Sequence, residues 1–198
     1  MPLILPKPGN FELEEKRSKF LGYCAPINSE DEARKILSGI RAANPRANHN
    51  VFAYAVGTLT RMSDDGEPHG TAGMPVLNVF DKTGIISYIC VVTRYFGGTL
   101  LGAGGLVRAY SKTAKGAMED AQPQELINYT QFKITCAYPF FDKLKYNLDK
   151  QEIEILNIEY TTCCEIFVNV KEAQLPLFKQ ELGYNCSVEE IPHRFNSY

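Results

Sequence analysis

The sequence predicts an α+β protein of two domains, and three observations carry that reading. Short β-branched and aromatic runs alternate with amphipathic helical stretches, so neither type dominates. The polar stretch Glu119-Asp120-Ala121-Gln122-Pro123-Gln124 interrupts them, which places domains at residues 1–122 and 123–198. Charge divides at the same place. Residues 1–120 hold 14 Lys/Arg against 12 Asp/Glu, a net of +2, while residues 121–198 hold 7 against 11, a net of −4.

In the first domain, residues 11–27 read as extended. Ser29 is placed to cap a helix that runs to about Ala43, with Ala33, Ile36, Leu37 and Ile40 at helical spacing, and Asn44-Pro45 stops it. Residues 50–60 read as a strand, and residues 85–93 form a near-continuous apolar run expected of a buried strand. Between them Thr71 is expected to cap a short helix carrying Met74, Leu77 and Phe80, with Pro75 in its first turn, where an N–H is dispensable. A longer helix is expected over about 105–119.

The second domain is more regular. Phe132, Ile134 and Cys136 alternate with polar neighbours, and a helix follows Pro139 with Phe141, Leu144 and Leu148 on one face. Residues 153–160 and 164–170 read as strands, and residues 172–182 as a helix with Leu175, Phe178 and Leu182 inward and Gly183 as its cap. Residues 186–191 supply the last strand. This βαββαβ order is the ferredoxin-like arrangement, with both helices on one face of the sheet and the other face open to a protein partner.

Composition excludes several classes. With 44% apolar residues the chain can bury a real core, and a net charge of −2 does not suit bulk, tail-driven nucleic-acid binding. The longest apolar run is far short of the roughly 18–20 residues of a membrane span, and no signal-peptide pattern opens the chain. Cys24, Cys90, Cys136, Cys163, Cys164 and Cys186 include no CxxC pair, so reduced thiols, no structural zinc and a cytoplasmic address are expected.

Three clusters could carry chemistry. Residues 63–75 hold Asp64, Asp65, Glu67 and His69 together with Gly70, Thr71 and Gly73. Asp-Gly is a strong turn signal, and glycines at a helix start leave N–H groups open to an anion. The carboxylates Asp64, Asp65 and Glu67 are also the residue type that holds Mg²⁺. Residues 93–106 follow the buried strand with Arg94 and Tyr95, then Gly97, Gly98, Gly102, Gly104 and Gly105 leading into a helix. That loop has neither the Lys-Ser/Thr of a Walker loop nor the GxGxxG spacing. Arg94 adds a guanidinium, which matches phosphate bidentately. Arg108, Lys112 and Lys115 then line one face of the following helix. His49, His69 and His193 are the only histidines, and no nucleophile–His–acid set is visible.

Asp64-Asp65-Gly66-Glu67-Pro68 with Gly70-Thr71-Ala72-Gly73 and Pro75, Val91-Val92-Thr93-Arg94-Tyr95-Phe96-Gly97-Gly98, and Leu101-Gly102 with Gly104-Gly105-Leu106-Val107-Arg108-Ala109-Tyr110 resemble the motifs of the YigZ/IMPACT family, also called UPF0029. Ser18-Lys19-Phe20 and His49-Asn50 add to the resemblance. It implies a first domain of the ribosomal protein S5 domain 2-like type and a ferredoxin-like second domain similar to one in elongation factor G. Eukaryotic members carry an extra N-terminal domain and act in translational control of a stress kinase pathway. This chain begins near the core motifs, so that partner role is not carried over.

The leading expectation is a translation- or RNA-associated binding protein. Its anion cleft would be formed by Gly70, Thr71, Gly73, Arg94, Tyr95, Gly97, Gly98, Gly102, Gly104, Gly105, Arg108, Lys112 and Lys115, with no cofactor. Its partner would be RNA or a ribosome-associated protein. The alternative is an enzyme acting on a phosphorylated small molecule or nucleotide, with Mg²⁺ on Asp64, Asp65 and Glu67. A third, structural reading pairs Arg94 with Asp64 or Glu67.

Overall fold

The computed structural model describes residues 2–181 and 186–192. It divides after Leu126 into two compact units. The first contains β1 (Leu3–Ile4), β2 (Gly9–Glu15), β3 (Ser18–Pro26), α1 (Glu30–Ala43), β4 (His49–Val56), β5 (Leu59–Ser63), α2 (Gly73–Thr83), β6 (Tyr88–Tyr95), α3 (Ala103–Asp120) and β7 (Gln124–Glu125). The division falls a little beyond the predicted boundary, because the expected linker is tied to the first unit. β7 pairs with β1, and the Leu126 N–H donates to the Pro2 carbonyl.

Five antiparallel strands form the main sheet in the order β2-β3-β6-β4-β5. Two predicted runs are in fact hairpins. Lys16 and Arg17, both at positive φ, turn the chain between β2 and β3, and Gly57 does so between β4 and β5. β6 is central and buried along nearly its whole length, as its apolar run predicts. One sheet face packs Phe20, Cys24, Val51, Ala53 and Val92 against α2 and α3; the other packs Ala25, Ile89 and Val91 against α1. Ser29 caps α1 by accepting the Glu32 N–H at 3.2 Å, and Asn44 ends it, as the sequence predicts.

The second unit contains β8 (Tyr129–Cys136), α4 (Tyr138–Lys150), β9 (Glu154–Tyr160), β10 (Cys164–Lys171), a 3₁₀ turn over Glu172–Gln174, α5 (Leu175–Glu181) and β11 (Cys186–Ile191). Its strand order, β11-β8-β10-β9, is the antiparallel ferredoxin-like sheet that the βαββαβ pattern predicts. The inward helix residues Leu144, Leu148 and Phe178 join Phe132, Ile134, Ile166 and Val168 in one core. The predicted Leu182 contact and Gly183 cap lie outside the described residues, as does His193. All six cysteines are free thiols, and the register sets Cys136 opposite both Cys164 and Cys186. No helix among the described residues is long and apolar enough to cross a membrane.

Candidate functional site

The two motif-bearing loops meet where the C-terminal end of β6 approaches the start of α3. Their first product is a buried ion pair. Arg94 Nη1 donates to Glu67 Oε1 at 2.6 Å, with the two side chains only 6% and 3% exposed. The Tyr110 hydroxyl donates to the same oxygen at 2.7 Å. Burial first, and then this bond to a carboxylate, push the Tyr110 phenol well above its ordinary pKa, which keeps it a neutral donor. Arg94 Nη2 donates to Ser18 Oγ at 3.3 Å, and the guanidinium carbon lies 5.3 Å from the Phe20 ring centre and 5.5 Å from that of Phe96. Arg94 Nε is a buried donor with no acceptor among the described residues.

The structural reading of Arg94 is therefore the one the geometry matches, with Glu67 as the partner. A guanidinium enclosed in this way is not available to bind a phosphate. The three carboxylates expected to hold Mg²⁺ are each engaged by a different partner, Glu67 by Arg94 and Tyr110. Asp64 accepts the N–H groups of Gly70, Ala72 and Gly73 at 2.8, 3.1 and 2.7 Å. Asp65 accepts the Asn50 N–H at 2.6 Å and Arg41 Nη2 at 2.8 Å. Among the described residues no three His, Cys, Asp or Glu converge on a metal position.

Asp64 also corrects the helix-start expectation at Gly70, Thr71 and Gly73. The N–H groups thought open to an anion already bind a carboxylate of the chain, so Asp64 rather than Thr71 stabilises the entry to α2, and the Thr71 hydroxyl donates to the Pro68 carbonyl at 2.7 Å instead. Burial pushes the Asp64 carboxyl up, but the bonds from Gly70, Gly73 and Ala72 outweigh it and hold the carboxyl below its ordinary pKa. Met74, expected on the inner face of α2, is 40% exposed.

In the second loop, Gly97 serves close packing. A Cβ there would overlap the Arg17 carbonyl, and its N–H donates to Ser18 Oγ at 3.1 Å. Tyr95, one residue past Arg94, sends its hydroxyl to Asn44 Oδ1 at 2.7 Å, away from the glycines. Gly98 continues the turn at φ +81°, and Gly102, at φ +70°, precedes α3 as an N-cap with no side-chain hydrogen bond to the helix. Gly104 and Gly105 form its first turn.

Of the predicted anion residues, Gly105, Arg108 and Lys112 do come together. They line a groove with Leu13, Glu15, Lys16 and Leu101, and Lys16 arrives there from the β2–β3 turn. Lys16, Arg108 and Lys112 form no ion pair among the described residues. Lys115 lies further along α3 and pairs with Glu119 at 3.6 Å. Lys16 escaped the sequence reading because only the hairpin brings it beside α3; the Lys-Arg pair between two extended halves was the available signal.

On the other side of the α3 start lies a cleft of about 390 Å³, with Glu67 and Arg94 among its lining residues and Phe96, Leu100 and Leu101 as apolar walls. His49 also lines it. A 2.8 Å contact to the Asp65 carbonyl requires the proton on His49 Nδ1, and Nε2 lies 3.8 Å from Glu67 Oε1.

These features define a two-domain α+β protein whose first unit is organised around a buried Arg–Glu pair, with a cationic groove and an apolar cleft flanking one helix start. The model of the Impact N-terminal domain matches residues 16–118, and that of a domain of unknown function, DUF1949, matches residues 134–184. The chain belongs to the IMPACT family. An IMPACT family member of Haemophilus influenzae is 33% identical over 182 residues, covering 89% of this chain and 88% of that one. YigZ of Escherichia coli is 31% identical over 186 residues, covering 91% of each. Protein IMPACT of Homo sapiens matches only 98 residues at 29% identity, or 46% of this chain and 30% of its own. The crystal structure of a hypothetical protein, 28% identical, superposes over 97% of this chain and 98% of that chain with a TM-score of 0.61.

Proposed function

We propose that the protein is a translation-associated regulator that binds RNA through the groove beside α3. One observation carries the binding: Lys16, Arg108 and Lys112 converge from two elements on a groove that also holds Glu15, form no ion pair among the described residues, and lie next to Gly105 in the first turn of an 18-residue helix. Gly105 belongs to the first turn, where backbone N–H groups and the helix dipole favour an anion, and Arg108 and Lys112 extend the positive charge along the next two turns. The translational context comes from family membership, which implies such a role for the eukaryotic relatives. The net charge of +2 in the first 120 residues against −4 in the rest favours the first unit as the nucleic-acid-binding one.

Fluorescence anisotropy with a short single-stranded RNA in rising salt tests this. Three phosphate contacts at about −0.7 each give a slope of log affinity against log salt near −2, or roughly a 20-fold loss between 50 and 200 mM. Arg108→Gln with Lys112→Gln brings the slope to about −0.7. Absence of binding at low salt, or an unchanged slope in the double variant, overturns the proposal.

A further inference from the structure

The apolar cleft on the other side of the α3 start has no part in the groove's electrostatics, yet the two are neighbours: Leu101 lines both. Its volume lies within the roughly 300–1,000 Å³ of small-ligand sites. Its walls are apolar groups held at the surface, with Phe96 44% and Leu100 81% exposed. Folding alone does not call for them there, since exposure of large apolar side chains around one concavity marks a place of contact. The Phe96 ring is also kept in position, packed on the Arg94 guanidinium, while its N–H is held by Asn48 Oδ1 at 2.8 Å.

The cleft has a polar end. Asn48 spends its carbonyl oxygen on Phe96, which leaves its amide N–H groups free to donate. His49 spends Nδ1 on the Asp65 carbonyl, which leaves Nε2, 3.8 Å from Glu67 Oε1, as its second polar atom at the cleft. An amide donor and an imidazole nitrogen beside apolar walls match the edge and faces of a heterocyclic base. The cations across Leu101 match the phosphate that a base carries with it.

We propose that this cleft receives one unstacked nucleobase of a single strand whose phosphates lie on the Lys16–Arg108–Lys112 groove. The inference deepens the RNA-binding reading and rests on it. A base inside a duplex cannot enter such a cleft, whereas a single strand can turn one base out at little cost. Recognition is then by shape and stacking at one position, with backbone charge supplying the remainder.

The test uses the full chain and three probes in anisotropy titrations: an eight-nucleotide single strand, its duplex, and the same strand lacking one central base. The expected order of affinity is intact strand, then abasic strand, then duplex. Phe96→Ala lowers affinity for the intact strand by about five- to 150-fold, the range of one base–aromatic stack, with the salt slope unchanged. Leu100→Ala, at a position too exposed to affect folding, lowers it in the same direction. Equal binding of single strand and duplex, or wild-type affinity in both variants, overturns the base site while the groove reading survives on its salt slope. An absence of binding by every probe overturns both, and the walls then fall to an apolar protein partner.

Discussion

Glu67→Gln is the most informative single perturbation of the first unit. It preserves shape and the acceptor for Tyr110, but it leaves the Arg94 charge without its counter-ion. At 2.6 Å and an effective dielectric of about 20, the pair attraction is about 6 kcal/mol, and the desolvation of two side chains only 6% and 3% exposed opposes it. The pair is therefore worth little against apolar residues of equal volume, yet removing one partner costs about 3–5 kcal/mol. For a unit of this size that corresponds to a fall in Tm of about 10–20 °C. Arg94→Met with Glu67→Gln removes the stranded charge and places an apolar chain beside Phe20 and Phe96, so the double variant is expected to be more stable than Glu67→Gln alone. The sequence has no Trp, so thermal unfolding is followed by far-UV circular dichroism and the near-UV tyrosine bands. A double variant that loses the sum of the two single losses would refute the coupling, because independent sites add.

Two further outcomes follow from the same geometry. Asp64→Ala strips three backbone N–H groups of their acceptor and should cost at least the 0.5–2 kcal/mol or so typical of losing a helix cap, read by urea unfolding. In the wild type the Asp64 carboxyl sits below its ordinary value, so its contribution is full above the usual aspartate pKa of about 3.9 and is lost as the pH falls through the lower folded value; Asp64→Ala should remove that part of the acid dependence, and an unchanged acid limb would count against it. Among the thiols, burial pushes Cys24 up to about 12 and, with neighbouring cysteines, Cys136 to about 11, so in the native protein a disulfide reagent should label Cys163 and Cys186 well before the buried four. Mass spectrometry of the labelled sites checks this, and early labelling of Cys24 or Cys90 would contradict it.

Much of the fold was legible in the sequence because it depends on local periodicity. Ser29 and Asn44 mark the ends of α1 through side-chain chemistry that acts within a few residues. The βαββαβ order follows from alternation and helical spacing read element by element. The two hairpins of the first unit were missed because Lys16-Arg17 and Gly57-Thr58 turn the chain within otherwise extended runs, and apolar pattern alone does not register a two-residue turn.

The candidate site divided differently. The sequence by itself determined which residue types stand together: Asp64, Glu67, Arg94 and the glycines are clustered in two short stretches, and their types already narrow the chemistry to carboxylate, guanidinium and open backbone. Only the tertiary structure decided what each does. Arg94 and Glu67 are 27 positions apart, so whether they face a ligand or each other depends on β6 carrying Arg94 to the end of the sheet where the Asp64–Pro68 turn folds over it. Asp64 fills one helix start, while the α3 start has no side-chain cap, a difference of tertiary placement that no spacing encodes. Partners in charge and hydrogen bonding are chosen by proximity in space, and for this protein that choice turned the expected anion ligand Arg94 into a buried strut and left Lys16, Arg108 and Lys112 as the exposed cations of the groove beside α3.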